Sequence, residues 1–383
     1  MLGEAVAEPG VRSLGLDVRF NAPRATVVQQ VVNRSWADRR GIVAGAVVER
    51  LNRAPVRRMT KTDFQRAIVQ RPLLIDFSGS MTEAKLTSLL KLARGPSEVL
   101  DLIEPYVGSN LFNEIHVAAA FFYMGEYSDV TTVEEGDFAK RHNFMSFVQR
   151  AKGFFPDHDP FQLRNIIGAL GRLSVHAASF SDMLPDLVNV TLHKLPSFSA
   201  WDAANALWGI AKARRNAPVL LALADPLAQR FAEQAPRANA HDISNAVWAA
   251  GVLLGRESDS AQQLIAASMP AAHHEVGQMT PQALCNVCTG LAMLGTHDGE
   301  WMRLVSIQVS QSVRKWRPEN VCKSLPGIVW AYARLDVKST KIVEATAKVA
   351  GRVLCKTSAW GVLALLGALR KVGAGHQHED LLR

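Results

Sequence analysis

A chain of 383 residues is too long for one hydrophobic core, so two or three domains are expected. Its 48% hydrophobic and 20% charged residues belong to a folded soluble protein, and no apolar run approaches the roughly 18 residues of a membrane span, which leaves out membrane-spanning classes. The net charge of +8 is unevenly spread. Residues 1–77 carry 13 Lys/Arg against 7 Asp/Glu, residues 78–159 carry 7 against 12, and residues 160–383 carry 23 against 16. Basic ends around an acidic middle suit a polyanionic partner such as RNA.

The opening MLGEAVAEPG contains Glu4 and Glu8 and no Arg, and reads as neither an organelle presequence nor a secretory signal. LGLDVRF (14–20) then alternates, VVQQVV (27–32) is rich in β-branched residues, and AVVERLN (46–52) and LLIDF (73–77) read as further strands. NRSWADRRG (33–41) is a polar turn with a short helix, and TKTDFQRAIVQ (60–70) is a helix with Thr60 as its N-cap. These pieces predict a small α+β barrel.

Their order resembles a PDZ domain. Leu14-Gly15-Leu16 matches the carboxylate-binding loop, Ser35-Trp36-Ala37-Asp38-Arg39-Arg40-Gly41 the short helix and its exit, and Gly45, Val47, Val48 and Asn52 the central strand and turn. The helix from Thr60 matches the groove wall, with Lys61 at the first groove-facing position. The sequence departs from the pattern at Ser13, where a second glycine is common, and at Ala46, where an acid is usual. The resemblance implies a protein partner held through this groove, an extended peptide adding to the strand Leu16–Phe20 with its carboxylate on the loop N–H groups; Leu14, Gly15, Leu16 and Lys61 are then the peptide-binding residues. The other reading is a structural docking module whose groove is occupied by the chain's own neighbours.

Ser78-Gly79-Ser80 marks a boundary, and from Met81 the pattern is helical throughout. EAKLTSLLKLAR (83–94) and EVLDLIEPYV (98–107) form a first hairpin, and NEIHVAAAFFYMGEY (113–127) is the first helix of a divergent repeat whose His116 aligns with Asn165 across an acidic insertion at 129–138. Five segments then repeat: 163–173, 203–213, 243–253, 284–294 and 325–335. Their marker positions are Asn165, Asn205, Asn245, Asn286 and Gly327, at spacings of 40, 40, 41 and 41, and a weaker sixth copy begins near Ser358 with Gly361 as its marker. A fixed period of this size means stacked helical hairpins. The expected organisation is a PDZ-like domain at 11–78, a helical linker region with the first divergent repeat at 79–160, and an all-α solenoid of about 40-residue helical-hairpin repeats at 161–383.

Within each repeat the first helix carries the marker, and the second is amphipathic, at 219–234, 260–270, 300–313 and 339–353. Thr280-Pro281, the serines at 197–199 and Thr357-Ser358 supply caps. Ala204, Ala206, Gly209 and Ala211 allow close packing of first helices. An Asn inside a helix needs amide partners; the expectation is a ladder bonding each marker to the backbone of the next repeat, against a direct contact with a base. Trp208, Trp248 and Trp330, three residues after the marker, are expected as core anchors rather than stacking platforms.

The Asn-x-x-Trp-(Ala/Gly) motif with its alanines and leucine resembles the heptatricopeptide and octotricopeptide repeats and the helical arrays of FAST-kinase-domain and RAP-type proteins, over roughly residues 113–370. That resemblance implies a non-catalytic RNA-binding protein of mitochondria or plastids, acting in RNA processing, stability or translation. No RAP-like domain is expected after the array. Arg172, Lys212 and Arg334, seven residues after the marker, with Arg214, Arg215, Arg370 and Lys371 at the helix ends, are the candidate RNA-binding residues; cations that complement helix dipoles are the other reading. Val252 and Met293 interrupt the series and argue against a base-by-base code. A protein-interaction scaffold within a large organellar assembly, such as a ribosome or respiratory complex, is the alternative function, favoured by a neutral or apolar groove as RNA is by a basic one.

Chemistry of other kinds finds little support. GxGxxG, GxxxxGK[ST] and GxSxG are absent from the sequence, so no enzyme activity and no cofactor is expected. Cys285 and Cys288 form a CxxC inside a helix with no second ligand pair nearby, which reads as core rather than metal, and with Cys322 and Cys355 they are expected as reduced intracellular thiols. His273-His274 and the pair His376/His378 read as surface residues.

Overall fold

The computed structural model describes residues 2–23, 25–32, 34–40, 42, 45–78, 83–104, 106–109, 112–127, 135–349, 351 and 359–373. The chain divides into two compact units: residues 1–123 with 132–150, and residues 124–131 with 151–383. Gly41, Gly79, Ser80, Cys355, Thr357, Ser358, His376, His378 and most of the 129–138 insertion, all invoked above, lie outside the described residues.

The first unit begins with six strands, β1 (Leu2–Ala7), β2 (Leu16–Arg19), β3 (Thr26–Val31), β4 (Val47–Leu51), β5 (Ala54–Pro55) and β6 (Leu73–Ser78), and two helices, α1 (Trp36–Arg39) after β3 and α2 (Lys61–Val69) after β5. They form one antiparallel sheet in the order β1-β6-β4-β3-β2, with β5 paired to β4. Along this path β1 and β2 are the outer strands, and closure into a barrel is not part of it. The sheet starts at Leu2, ahead of the boundary expected at residue 11. LGEAVA was missed because Gly and Ala give it little strand propensity. Pairing with β6 from Leu2–Ser78 to Ala7–Leu73 makes it a strand, with small Ala5 and Ala7 turned into the core beside Leu73, Ile75 and Phe77. Thr60 caps α2 as expected: its hydroxyl accepts the Asp63 N–H at 3.1 Å, and Asp63 reaches back to it. Phe64 of α2 stacks on Phe20 at 4.8 Å, beside Val28, Val48 and Leu51 of the core.

The helices α3 (Glu83–Leu90) and α4 (Pro96–Ile103) pack on each other, followed by α5 (Glu114–Glu126) and α6 (Phe144–Phe154). Phe147 lies 6.4 Å from Phe112 and 5.1 Å from Phe121, the aromatic core of this part. His116 is buried, accepting the Asn113 N–H on Nδ1 and placing Nε2 3.0 Å from the Glu83 carbonyl, so this counterpart of the marker is a core residue.

The described residues of the second unit form helices and turns, with no strand among them. An inner series, α7 (Pro160–Arg172), α9 (Ala200–Ala213), α11 (Ala240–Leu253), α13 (Pro281–Leu294), α15 (Pro318–Arg334) and α17 (Ala359–Gly373), packs each helix on the next. The outer helices α8 (Leu184–Lys194), α10 (Ala224–Gln234), α12 (Asp259–Glu275), α14 (Gly299–Ser312) and α16 (Thr340–Ala347) lie between them in sequence; α10 to α16 pack in turn, and α8 on the 3-10 turn before α10. The span 219–234, expected as one helix, is that turn (Pro218–Leu223) followed by α10. Pro226 explains the break, since it lacks the N–H that would continue the helix backwards. Caps recur with the period: Asp159 with Gln162, Ser199 with Asp202 and Asn239 with Asp242 are reciprocal capping boxes, and Thr280 caps α13 with Pro281 in its first turn.

Small residues let the inner helices approach backbone to backbone. A Cβ on Gly209 would lie 2.5 Å from the Ile167 carbonyl oxygen, and one on Gly171 2.6 Å from Gly209 Cα. The same arrangement returns between α11 and α13, where a Cβ on Gly290 would lie 2.3 Å from the Val247 oxygen and one on Gly251 2.7 Å from the Gly290 oxygen. None of these obstacles is a side chain that can swing away. Gly290→Val is therefore expected to destabilise the protein by about 1–3 kcal/mol or more, read as a lower urea midpoint, whereas Gly277→Val, where nothing lies within 4 Å, should leave the midpoint nearly unchanged.

Candidate functional site

Helix geometry decides which residues of the inner series share a face. At about 100° per residue, the positions four before the marker, at the marker, three after and seven after fall within about 60° of each other. Positions one, two and five after the marker point elsewhere and are buried in every repeat from α7 to α15, for example Ile166, Ile167 and Leu170, or Ile328, Val329 and Tyr332. The first set is exposed or half-buried at most of its positions. It forms an open groove of about 490 Å³ lined by Arg172, Asn205, Trp208, Lys212, His241, Asn245, Trp248, Gln282 and Asn286.

This arrangement corrects two expectations. Trp208 and Trp248 are half-buried and line the groove, and Trp330 is 38% exposed, so none is a core anchor. The asparagine bonds run back along each marker's own helix rather than across to the next repeat. Asn205 Nδ2 donates to the Trp201 carbonyl at 2.8 Å, Asn286 Oδ1 accepts from Gln282 at 2.7 Å, and Asn245 Nδ2 lies 3.4 Å from His241 Nε2. In each case the partner is one turn away; Asn205 and Asn286 are half-buried and Asn245 is buried, and all three line the groove.

Cations and rings alternate along this face. Arg172 Cζ is 5.9 Å from the Trp208 ring, and Lys212 Nζ stands between two indoles, 5.7 Å from Trp208 and 5.6 Å from Trp248. Arg172 also pairs with Glu126 at 3.3 Å. Where α7 and α9 begin, Phe161 is 49% and Trp201 44% exposed, their ring centroids 6.0 Å apart. The buried Arg164 guanidinium lies 3.3 Å over Trp201 and 4.5 Å over Phe161, and its Nε is 2.9 Å from Asp202 Oδ1. Burial draws the Arg164 pKa down while Asp202 and Asp242 oppose the loss of charge.

The remaining predicted cations are dispersed. Arg214 donates to the Ala211 carbonyl at 2.6 Å and caps its own helix; Arg215 is exposed, and neither lines the groove. Arg334 sits in a separate pocket with Arg256, Met293, His297 and Asp336, while Arg370 and Lys371 line a third. The structure thus brings together Arg172 and Lys212. The indoles and amides beside them were missed, although the signal was present: residues three and seven after the marker are four apart on one helix and share a face. If Lys212 looks into the groove, so must Trp208.

In the head, Leu14 is buried and Leu16 half-buried against the sheet core, Gly15 adopts φ +65°, and Lys61 is exposed at the start of α2. A Cβ on Gly15 would stand 2.1 Å from Ser35 Cβ, so the glycine is required by packing alone. The Gly15 N–H donates to Ser13 Oγ at 3.2 Å. Outer strand β2 is tied to α4: Arg19 pairs with Asp101 at 2.7 Å and with Glu104, Arg141 pairs with Asp101, and His142 Nε2 is 2.8 Å from Glu104. Burial raises the Glu104 pKa, but the His142 and Arg19 contacts outweigh it and hold the carboxyl below its usual value.

No helix among the described residues is long and apolar enough to cross a membrane, and no group of three or more His, Cys, Asp or Glu among them is placed to hold a metal ion. His273 pairs with Asp298 at 3.1 Å. Compared with known proteins, the chain matches no protein family and no curated relative.

Cys285 and Cys288 are buried in α13, and burial pushes both thiols up, Cys285 from 9.0 to about 12. The folded chain keeps these protons where the unfolded chain has lost them, so stability falls as pH rises from 9 towards 12 and is insensitive to these thiols below 9. Urea midpoints at pH 8, 9.5 and 10.5 should fall in the wild type and fall less steeply in the Cys285→Ala/Cys288→Ala variant.

Proposed function

We propose that this chain is a non-catalytic RNA-binding helical-repeat protein that holds single-stranded RNA along the inner face of its array, with a PDZ-like head that docks a peptide. The observation that carries the reading is the alternation of Arg172, Trp208, Lys212 and Trp248 in an open groove edged by asparagine amides. Bases stack on exposed indoles whatever their identity, ammonium and guanidinium groups neutralise phosphates, and amides offer both donors and acceptors to base edges. Gly168 and Thr289 stand where the other repeats have tryptophan, so the face offers separated platforms and no residue-by-residue code. The resemblance to octotricopeptide-type arrays, whose members act on organellar transcripts, supports a role in RNA processing, stability or translation in mitochondria or plastids.

The head supports the docking reading through its element order, with β2 on the outside of the sheet and α2 following β5. A second reading, a protein-interaction scaffold within a larger assembly, is favoured by one observation: Arg19 of that outer strand is already committed to Asp101 and Glu104 of the chain's own α4.

Fluorescence anisotropy with a labelled single-stranded RNA 12-mer separates the two. Trp208→Ala/Trp248→Ala is expected to weaken binding at least tenfold, since each stacked base is worth about 1–3 kcal/mol, and Lys212→Gln should lower the slope of log K against log salt by about 1. RNA affinity equal in the double variant and the wild type would refute the groove; affinity absent from all of them would leave the scaffold.

A further inference from the structure

Among the described residues, five cations and no carboxylate line a pocket of about 790 Å³ formed by the starts of α14 and α16 and the end of α17. They are Arg303, Lys338, Lys341, Arg370 and Lys371, with the hydroxyl of Ser339 among them. Two are compensated from outside the lining: Arg303 is gripped by Glu300 through bonds of 2.6 and 2.8 Å, and Lys338 is 3.3 Å from Asp336. Among the described residues no carboxylate pairs with Lys341, Arg370 or Lys371.

Arg370 and Lys371 stand in the last turn of α17, where the helix dipole favours cations. The carbonyls that end α17 are served otherwise: Lys338 Nζ donates to the Lys371 oxygen at 2.6 Å and the Ser339 N–H to the Val372 oxygen at 3.1 Å. Arg370 and Lys371 are exposed and line the pocket. Lys341 stands in the first turn of α16, where the helix macrodipole disfavours a cation, and that turn carries no acid. Ser339 caps only the Ile342 N–H, at 3.3 Å, and the Thr340 and Lys341 N–H groups belong to the turn that helix geometry leaves without internal partners. A cation set against local preference, beside two others on the wall of a cavity, marks a place suited to a ligand of opposite sign.

We propose that this pocket is an anion site for a ligand bearing two or more phosphate groups, separate from the groove of Trp208 and independent of whether that groove binds RNA. Lys341, Arg370 and Lys371 supply the charge, and the N–H groups at the start of α16 supply hydrogen bonds to phosphate oxygens. The phosphates come either from a small phosphorylated metabolite or from an RNA strand.

Calorimetric titration of the full chain with inorganic tripolyphosphate tests this. Saturable 1:1 binding is expected, at least tenfold tighter than for sulfate at equal ionic strength, and Lys341→Glu/Arg370→Glu should abolish it. Lys341→Gln/Arg370→Gln, which removes charge without reversing it, should weaken it at least tenfold while the thermal midpoint without ligand stays at the wild-type value. Displacement of tripolyphosphate by a single-stranded RNA 12-mer would assign the site to RNA phosphate, and failure to displace it would assign it to a small metabolite; either sustains the anion site. Equal affinity for sulfate and tripolyphosphate, or unchanged binding in both double variants, would overturn it.

Discussion

The arrangement of the array rests on how closely its inner helices approach. Gly171 faces Gly209, and Gly251 faces Gly290, at separations no side chain could enter. Backbone contact of this kind fixes rotation as well as distance, because turning either helix would drive a neighbouring Cβ into a carbonyl. With rotation fixed, positions four before, at, three after and seven after the marker are held on one face in each repeat. The groove of Trp208, Lys212 and Trp248 follows from that registration, and its capacity to act as a surface depends on residues that never touch a ligand.

Much of the array was legible in the sequence because its signals are local. The 40-residue period, the caps Ser199 and Thr280, and helix boundaries within a few residues all depend on neighbours in the chain. The facing of individual side chains was read less well. Tryptophan was assigned to the core by its size and asparagine to a ladder by its polarity, yet the phase of the helix overrules both. The aromatic shelf of Phe161, Arg164 and Trp201 could not be read from any one segment, because it joins two helices 40 residues apart and is held by Asp202, a capping residue of the second.

The head divides in the same way. Strands β2, β3, β4 and β6 and helices α1 and α2 follow from alternation and turn residues, whereas β1 exists only through its partner β6 and the two-residue β5 only through β4. The knot of Arg19, Asp101, Glu104, Arg141 and His142 gathers side chains from three stretches of the acidic and basic regions. Composition showed those opposite charges in adjoining regions but not which residues would meet.

The capping boxes have an electrical side effect. Asp159, Asp202 and Asp242 sit at the beginnings of α7, α9 and α11, where they offset the positive ends of the helices. Arg172 and Lys212 stand at the opposite ends of α7 and α9. Asp202 and Asp242 are buried at the helix starts, Asp202 against Arg164, so the charge that the inner face presents lies at the margin of Arg172 and Lys212. Under the proposed RNA-binding role, that asymmetry gives a strand a side as well as a location, its backbone at the margin of Arg172 and Lys212.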